Sequence, residues 1–178
     1  MSQWLLQELV KTSKGWRKTL VNTETGEIYE TTDFEEKAKR LRKVVNKFCD
    51  IYEPLYKERK VSVWHITLTR TEGNAIKKVI RHIKQHIAIL GYLWVKEYFR
   101  RSKLPHIHLC IATPRVRITK LPPWAFAINN IIKSRSEVRF VKKSIRNYLS
   151  NYLKKAEQKI LLGTGRIFGI SRKLLTPT

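Results

Sequence analysis

Residues 105–112 constrain the fold more than any other part of the sequence. They read Pro-His-Ile-His-Leu-Cys-Ile-Ala, so two imidazoles alternate with apolar side chains. This period of two is typical of a β-strand, in which His106 and His108 point to one face while Ile107 and Leu109 point into a core. The two histidine Cα atoms then lie about 6.6 Å apart, and both rings can converge on one metal ion. The open alternative is one buried, hydrogen-bonded histidine and one surface histidine.

The composition predicts a folded protein with a polyanionic partner. The chain has 178 residues, with 37 Lys and Arg against 14 Asp and Glu, and a formal net charge of +23. Its hydrophobic content of 42% is enough for a core, so the charge must lie on a folded surface. Nucleic acid is a better match than a membrane, because the sequence has no amphipathic anchor, lipidation motif or long apolar run.

Two further features concern the cellular compartment. Cys49 and Cys110 are isolated and form neither a disulfide framework nor a zinc motif. The first residues do not have the pattern of a secretion signal. We therefore expect a protein of the cytoplasm, with no membrane association.

The remaining patterns predict an α+β fold with a central antiparallel sheet and flanking helices. Residues 16–29 predict a hairpin, and Asp33 is placed to cap a long basic helix that Pro54 ends or kinks. The later predicted elements are strand 61–70, helix 75–90, strand 92–99, strand 105–112, helix 124–133, strand 137–140, helix 141–160 and strand 166–170. We predict an N-terminal appendage over residues 1–60 and a main domain over residues 61–178.

Glu97 is a candidate third ligand beside the two histidines. It lies on the strand that precedes residues 105–112, and the two strands form a predicted hairpin. Two imidazoles and one carboxylate suit Mn²⁺, Mg²⁺ less tightly, or Zn²⁺. The alternative is a surface ion pair between Glu97 and its basic neighbours Lys96 and Arg100. The other histidines are weaker ligand candidates: His65, His82 and His86.

Tyr148 and Tyr152 are candidate nucleophiles. They lie four residues apart in the last predicted helix, so both phenols project from one helix face. A phenol is a weak nucleophile at neutral pH, but it can attack a phosphodiester when a metal ion polarises the phosphate and a nearby cation favours the phenolate. Lys155 can be that cation. The alternative is an apolar stripe in which both rings pack into the core.

Taken in order, these motifs resemble the HUH single-strand endonucleases, and within them the rolling-circle replication initiators of phages, viruses and plasmids. The segments that resemble the family are residues 64–69, Glu97 with residues 105–108, the helix with Tyr148, Tyr152 and Lys155, and residues 166–172. The resemblance implies an RRM-like or ferredoxin-like sheet, with the His-x-His motif on a middle strand and the tyrosine helix beside it.

The resemblance also implies a metal-dependent nicking reaction at a replication origin. Mn²⁺ or Mg²⁺ would be held by Glu97, His106 and His108, and a tyrosine would attack DNA to leave a 5′-phosphotyrosine link and a free 3′-OH that primes synthesis. The implied partners are single-stranded or hairpin origin DNA, and a helicase and a polymerase of the host or replicon. We expect the cytoplasm of a microbial host, and the oligomeric state stays open.

The tyrosine pair is similar to that of the two-nucleophile branch of the family. Asn151 stands where many two-tyrosine members have a lysine, so Tyr148 lacks the lysine at +3 that Tyr152 has in Lys155. We therefore expect Tyr152 to act first. Two alternatives stay open: a tyrosine transposase of the same superfamily, and a non-catalytic basic RRM-like module that binds nucleic acid.

Overall fold

A computed structural model describes residues 4–12, 15–69, 74–98, 105–117, 120–150 and 168–171. Its helices and strands, in chain order, are β1 (Trp4–Thr12), β2 (Gly15–Asn22), β3 (Ile28–Thr32), α1 (Asp33–Lys57), β4 (Val61–Thr69), α2 (Ala75–Lys84), β5 (Gly91–Tyr98), β6 (Pro105–Pro114), α3 (Pro123–Ile132), β7 (Ser136–Phe140), α4 (residues 145–150) and β8 (Phe168–Ile170). The predicted α+β class is confirmed.

The backbone divides into two compact units, Met1–Lys43 and Val44–Thr178. The first unit contains the antiparallel sheet β1-β2-β3. Strand β1 was not predicted, because its sequence does not alternate and a bulge between Leu6 and Glu8 shifts its register. The predicted turn between β2 and β3 is confirmed, with Gly26 at a φ of 73°. The predicted domain boundary after residue 60 stays a prediction.

Helix α1 differs from its prediction at both ends. It begins with a capping box in which Thr32 Oγ1 accepts a hydrogen bond from the Glu35 amide (3.2 Å) and Glu35 Oε2 accepts one from the Thr32 amide (2.9 Å). The cap is therefore Thr32 and not Asp33, and the Thr-x-x-Glu spacing is the sequence signal for it. The helix does not end at Pro54 but runs to Lys57, because a proline in the last turn removes only one backbone donor.

The second unit contains a five-stranded antiparallel sheet in the order β7-β4-β6-β5-β8. Strand β6, which contains the His-x-His motif, is the middle strand, as expected. With helices flanking it, this sheet is consistent with the RRM-like fold of the HUH proteins.

One face of the sheet is a continuous apolar core. Side chains from β4 and β6 pack there against helices α2 and α3, and the largest of them are Trp64, Ile66, Leu68, Ile107, Leu109, Ile111, Val79, Ile83, Trp124 and Ile128. Alternation then places the polar residues of the same strands on the opposite face. Helix α2 ends at Lys84 and not at Leu90, because the Leu90 amide already donates to the Ala112 carbonyl oxygen of β6 (2.8 Å).

Helix α4 begins four residues later than predicted. The Val141 amide donates to the Val63 carbonyl oxygen (3.0 Å), and the Val141 carbonyl oxygen accepts from the Tyr56 hydroxyl (2.6 Å), so this residue is held by the sheet and by α1. Ser144 then caps the helix, since its Oγ accepts from the Asn147 amide (3.2 Å). The rest of the predicted helix, residues 151–160, lies outside the described residues.

Helix α1 fixes the start of α4 from the side. Glu53 Oε2 accepts hydrogen bonds from the amides of Ile145 (2.7 Å) and Arg146 (3.2 Å), and Asp50 Oδ1 lies 2.5 Å from Arg146 Nη2. The α1 residues Asn46, Asp50 and Glu53 follow a helical spacing, and Asn46 also contacts the Arg146 guanidinium. A buried carboxylate thus satisfies two of the amide donors that a helix N-terminus leaves open.

Strand β8 is held at the sheet edge by a close fit. The Ser171 amide donates to the Tyr92 carbonyl oxygen (2.9 Å), and Ser171 Oγ accepts from the Tyr92 amide (3.3 Å). A Cβ atom at Gly169 would collide with the Trp94 indole, so glycine is required there. The prediction of a final strand is confirmed for residues 168–170, and Gly163 and residues 166–167 lie outside the described part.

We predict that Glu53→Ala destabilises the protein by about 1–3 kcal/mol, because two buried amides lose their acceptor. Urea unfolding followed by tryptophan fluorescence measures this. The matched control is Glu58→Ala, which removes an exposed carboxylate paired with Lys60 and should change the free energy of unfolding by less than about 0.5 kcal/mol. Equal losses in the two variants would contradict the capping role.

Candidate active site

The register of three strands places the predicted ligands on one sheet face. In β6, His106 lies opposite Glu97 of β5 and Thr69 of β4, and His108 lies opposite Val95 and Thr67. Directly opposed residues of antiparallel strands point to the same side of a sheet. The predicted pairing of the two strands is thus confirmed, and it places the Glu97 carboxylate beside both imidazoles.

Glu97 is buried rather than paired at the surface. Its side chain is 6% exposed, and its Oε2 lies 3.5 Å from His108 Nε2, whose side chain is 15% exposed. A carboxylate that is removed from water needs a cation or hydrogen-bond donors around it. The alternative of an exposed ion pair therefore does not describe Glu97.

The three predicted ligands have the right donor types for a divalent cation. The ring centroids of His106 and His108 lie 6.3 Å apart. Within the described ranges, no group of three His, Cys, Asp or Glu side chains is already arranged as a set of metal ligands. Two imidazoles and one carboxylate on paired strands fit Mn²⁺ or Mg²⁺ by chemistry and by location, and one imidazole must rotate for them to converge.

His65 belongs to the same face, although the sequence ranked it as a weak candidate. It lies on β4 between Cys110 of β6 and Arg139 of β7, and it is 1% exposed. Its Nε2 lies 3.1 Å from His108 Nδ1, and the two rings stack with centroids 5.2 Å apart. The signal that could have found it is the alternation of residues 64–69, which puts His65 and Thr67 on one face.

Tyr148 reaches this face from helix α4. Its hydroxyl oxygen lies 2.8 Å from His65 Nδ1. The neighbouring residues Ile145 and Leu149 are buried at 0% and 4% exposure, so the predicted apolar stripe does hold the helix on the core. The phenol, in contrast, lies at the polar face. Tyr152 and Lys155 lie outside the described residues.

A series of polar contacts therefore runs from Tyr148 through His65 and His108 to Glu97. Burial, together with the nearby charges of His108 and Arg139, lowers the pKa of His65 to about 3. The imidazole is then neutral at pH 7 and has a single N–H. If Nε2 donates to His108, Nδ1 accepts from the phenol, and if Nε2 accepts, Nδ1 donates to the phenol oxygen.

The two cysteines add no reactive thiolate to the site. Burial raises the pKa of Cys49 to about 11 and also raises the pKa of Cys110, which lies on β6 two residues after His108. Both thiols are protonated at neutral pH and are not bonded to each other. Thiolate chemistry is thereby excluded at these two positions.

His82 and His86 lie apart from the candidate site. His82 belongs to α2, which packs on the opposite face of the sheet, and its Nε2 lies 3.1 Å from the Trp124 carbonyl oxygen. His86 is exposed. These two histidines provide matched controls for substitutions at the site.

A cleft of about 700 Å³ opens beside Tyr148. It lies between strand β7 and the start of α4, and its lining includes Arg139, Lys142, Lys143 and the Phe140 ring. Lys142 and Lys143 are exposed, so the cleft presents positive charge together with an aromatic surface. This combination of charge and aromatic surface suits a nucleic-acid strand.

We predict that the stability of the protein falls as the pH falls from 6.5 towards 4.5. The folded-state pKa of His65, about 3, is below the unfolded value of 6.5, so in this window only the unfolded chain binds a proton at this imidazole. His65→Asn should retain about 2 kcal/mol more of its pH 7 stability at pH 4.5 than the wild type does. Urea unfolding at both pH values tests this, with His86→Asn as control. Parallel pH dependences of His65→Asn and wild type would contradict it.

Comparison with known proteins assigns the family. No curated protein and no solved structure matches the chain significantly. Residues 63–157, more than half of the chain, match the family model of the replication-associated protein ORF2. The matched range begins in β4 and includes Glu97, both histidines of β6 and Tyr148. The chain belongs to this replication-associated protein family and is a Rep-type protein.

Proposed function

We propose that this protein is a metal-dependent single-strand DNA endonuclease and strand transferase that nicks a replication origin to initiate rolling-circle replication. Its family already associates it with replication initiation. The observation that supports nicking is the series of contacts in which the Tyr148 phenol lies beside His65, His108 and Glu97 on one sheet face. A potential nucleophile and potential metal ligands thus occur together.

Glu97, His106 and His108 would hold the divalent ion, either Mn²⁺ or Mg²⁺. An ion bound there would act as a Lewis acid on the scissile phosphate. The buried Glu97 carboxylate contributes the negative charge that a divalent cation requires, and the two imidazoles contribute neutral nitrogen donors.

The proposed reaction is a transesterification. The tyrosine oxygen forms a bond to phosphorus, and the bond from phosphorus to the 3′-oxygen breaks. The phenol loses one proton to solvent and the released 3′-oxygen gains one, so the products are a 5′-phosphotyrosine and a free 3′-OH. One ester replaces another, and no ATP is consumed. On the sequence argument, Tyr152 acts first with Lys155 favouring its phenolate, and Tyr148 performs the second transfer.

Charge supports a single DNA strand as the substrate. The net charge is +23, and the cleft beside Tyr148 combines Arg139, Lys142 and Lys143 with an aromatic ring. Lysine and arginine neutralise backbone phosphates whatever the sequence, and aromatic rings stack with unpaired bases. No helix in the part of the chain that the structure describes is long and apolar enough to span a membrane. A helicase and a polymerase would act on the nicked product.

A covalent adduct distinguishes this function from a non-catalytic nucleic-acid-binding module. The protein is incubated with Mn²⁺ and a labelled single strand that the wild type selects from a randomised library, and the products are separated on a denaturing gel. A labelled band at the protein position supports the nicking reaction. Binding without any adduct would favour the module, and an adduct that resolves only by joining two transposon ends would favour the transposase.

We predict that His108→Ala loses at least about tenfold in the rate of adduct formation, because a ligand and the contact with Glu97 are lost together. DNA binding measured by fluorescence anisotropy should change little, since phosphate contacts are distributed over the surface. His106→Ala should behave in the same way. His86→Ala is the control and should nick normally. Full nicking by His108→Ala would refute the metal site.

The same site can be tested without activity. Glu97→Gln keeps the shape of the side chain but removes its charge, so Mn²⁺ affinity measured by calorimetry should fall at least about tenfold. Unchanged affinity would assign the buried carboxylate a purely structural role.

We predict that the two tyrosines are separable. Tyr152→Phe should remove most of the first adduct, Tyr148→Phe should chiefly impair transfer to a second strand, and the double variant should bind DNA without linking to it. Peptide mapping of the adduct by mass spectrometry identifies the linked residue. DNA attached only to Tyr148 would reverse the order, and DNA attached to neither tyrosine would refute both roles.

A further inference from the structure

The contact between His65 and Tyr148 is not explained by metal binding or by nucleophilic attack. The phenol oxygen lies 2.8 Å from His65 Nδ1, and the two rings meet edge to face with centroids 5.4 Å apart. The residues are 83 positions apart in the sequence, so the contact depends on the tertiary fold. His65 therefore determines where the phenol oxygen lies.

His65 is itself held firmly. Its strand is paired on both sides, with Cys110 of β6 and Arg139 of β7 opposite it. Its second nitrogen lies 3.1 Å from His108 Nδ1, and its ring stacks on the His108 ring with an interplanar angle of 13°. A rotation of the His65 ring would break the contacts of both nitrogens, so the imidazole is a fixed reference point for the phenol.

The helix alone does not determine the position of the phenol. Capping by Ser144 and Glu53 fixes the backbone of α4, but a tyrosine side chain keeps two free torsions. The large cleft on the other side of Tyr148 leaves room for the ring to turn away from the sheet. The bond to His65 Nδ1 selects the orientation in which the oxygen lies beside the His108 ring.

We propose that His65 is a positioning residue for Tyr148, holding the phenol oxygen on the His-x-His face through hydrogen bonds at both of its ring nitrogens. This inference rests on the proposed nicking function. It requires that His65 acts through Tyr148 and not through Tyr152, because only the oriented phenol benefits from the contact. A histidine that merely fills the core would instead affect stability and both tyrosines alike.

The test measures adduct formation in single-tyrosine proteins. In full-length Tyr152→Phe protein, only Tyr148 can link to the selected single strand with Mn²⁺, and His65→Leu should lower that rate at least about tenfold. In Tyr148→Phe protein, the same substitution should change the rate of the Tyr152 adduct less than about twofold. His86→Leu is the matched control in both backgrounds.

A conservative variant guards against simple misfolding. Asparagine keeps a polar atom near the place of Nδ1, so His65→Asn should recover part of the Tyr148 adduct that His65→Leu loses. Urea unfolding of each variant checks that the protein is folded under the assay conditions. The losses of stability in His65→Leu and Tyr148→Phe should also be less than additive, because both variants remove the same bond.

The outcomes separate this inference from the proposed function. No adduct with wild-type protein refutes the nicking function, and the inference with it. With an active wild type, equal losses in the two tyrosine backgrounds, or no loss in either, overturn the positioning role alone. An absence of any adduct through Tyr148, or additive losses of stability, would overturn it as well.

Discussion

The register of β4, β6 and β5 is the constraint on which the site depends. Each residue of β6 has a fixed neighbour on both sides, so Glu97, His106, His108 and His65 share one face only in this alignment. A shift of one residue in either pair would move the polar side chains into the apolar core and the core residues into the site. The packing of Trp64, Ile107 and Leu109 against α2 and α3 prevents such a shift. The hydrophobic core thus aligns the polar face.

A second constraint connects the sheet with the helix that contains Tyr148. Helix α1 presents Asp50 and Glu53 to the first turn of α4, and Tyr56 of α1 holds the residue where the chain leaves the sheet. The N-terminus of α4 is therefore positioned by hydrogen bonds of stated geometry and not by apolar contact alone. Because the phenol lies one turn further along, a small change at this cap would be transmitted to Tyr148.

The parts predictable from the sequence are those encoded in local periodicity. Alternation in residues 105–112 and 61–70 was enough to predict the strands, the hairpin of β5 and β6, and the shared face of both histidines. The contact of His65 with Tyr148 could not be predicted, because neither the side-by-side pairing of β4 with β6 nor the approach of α4 is encoded in a local pattern. The start of α4 was misplaced for the same reason, since its first residues are held by β4 and α1. The roles of Tyr152 and Lys155 stay predictions.

The neutral His65 ring has one further consequence. With a neutral His108 as well, each imidazole in the series has a single proton, so the donors must all point the same way along the line from Glu97 to Tyr148. If His108 Nε2 holds its proton towards Glu97, the phenol is a donor; if that nitrogen gives up the proton, every bond reverses and the phenol oxygen becomes an acceptor, which favours its anionic form. The polarity of one end of the line is thus read at the other, with no net charge passing between them.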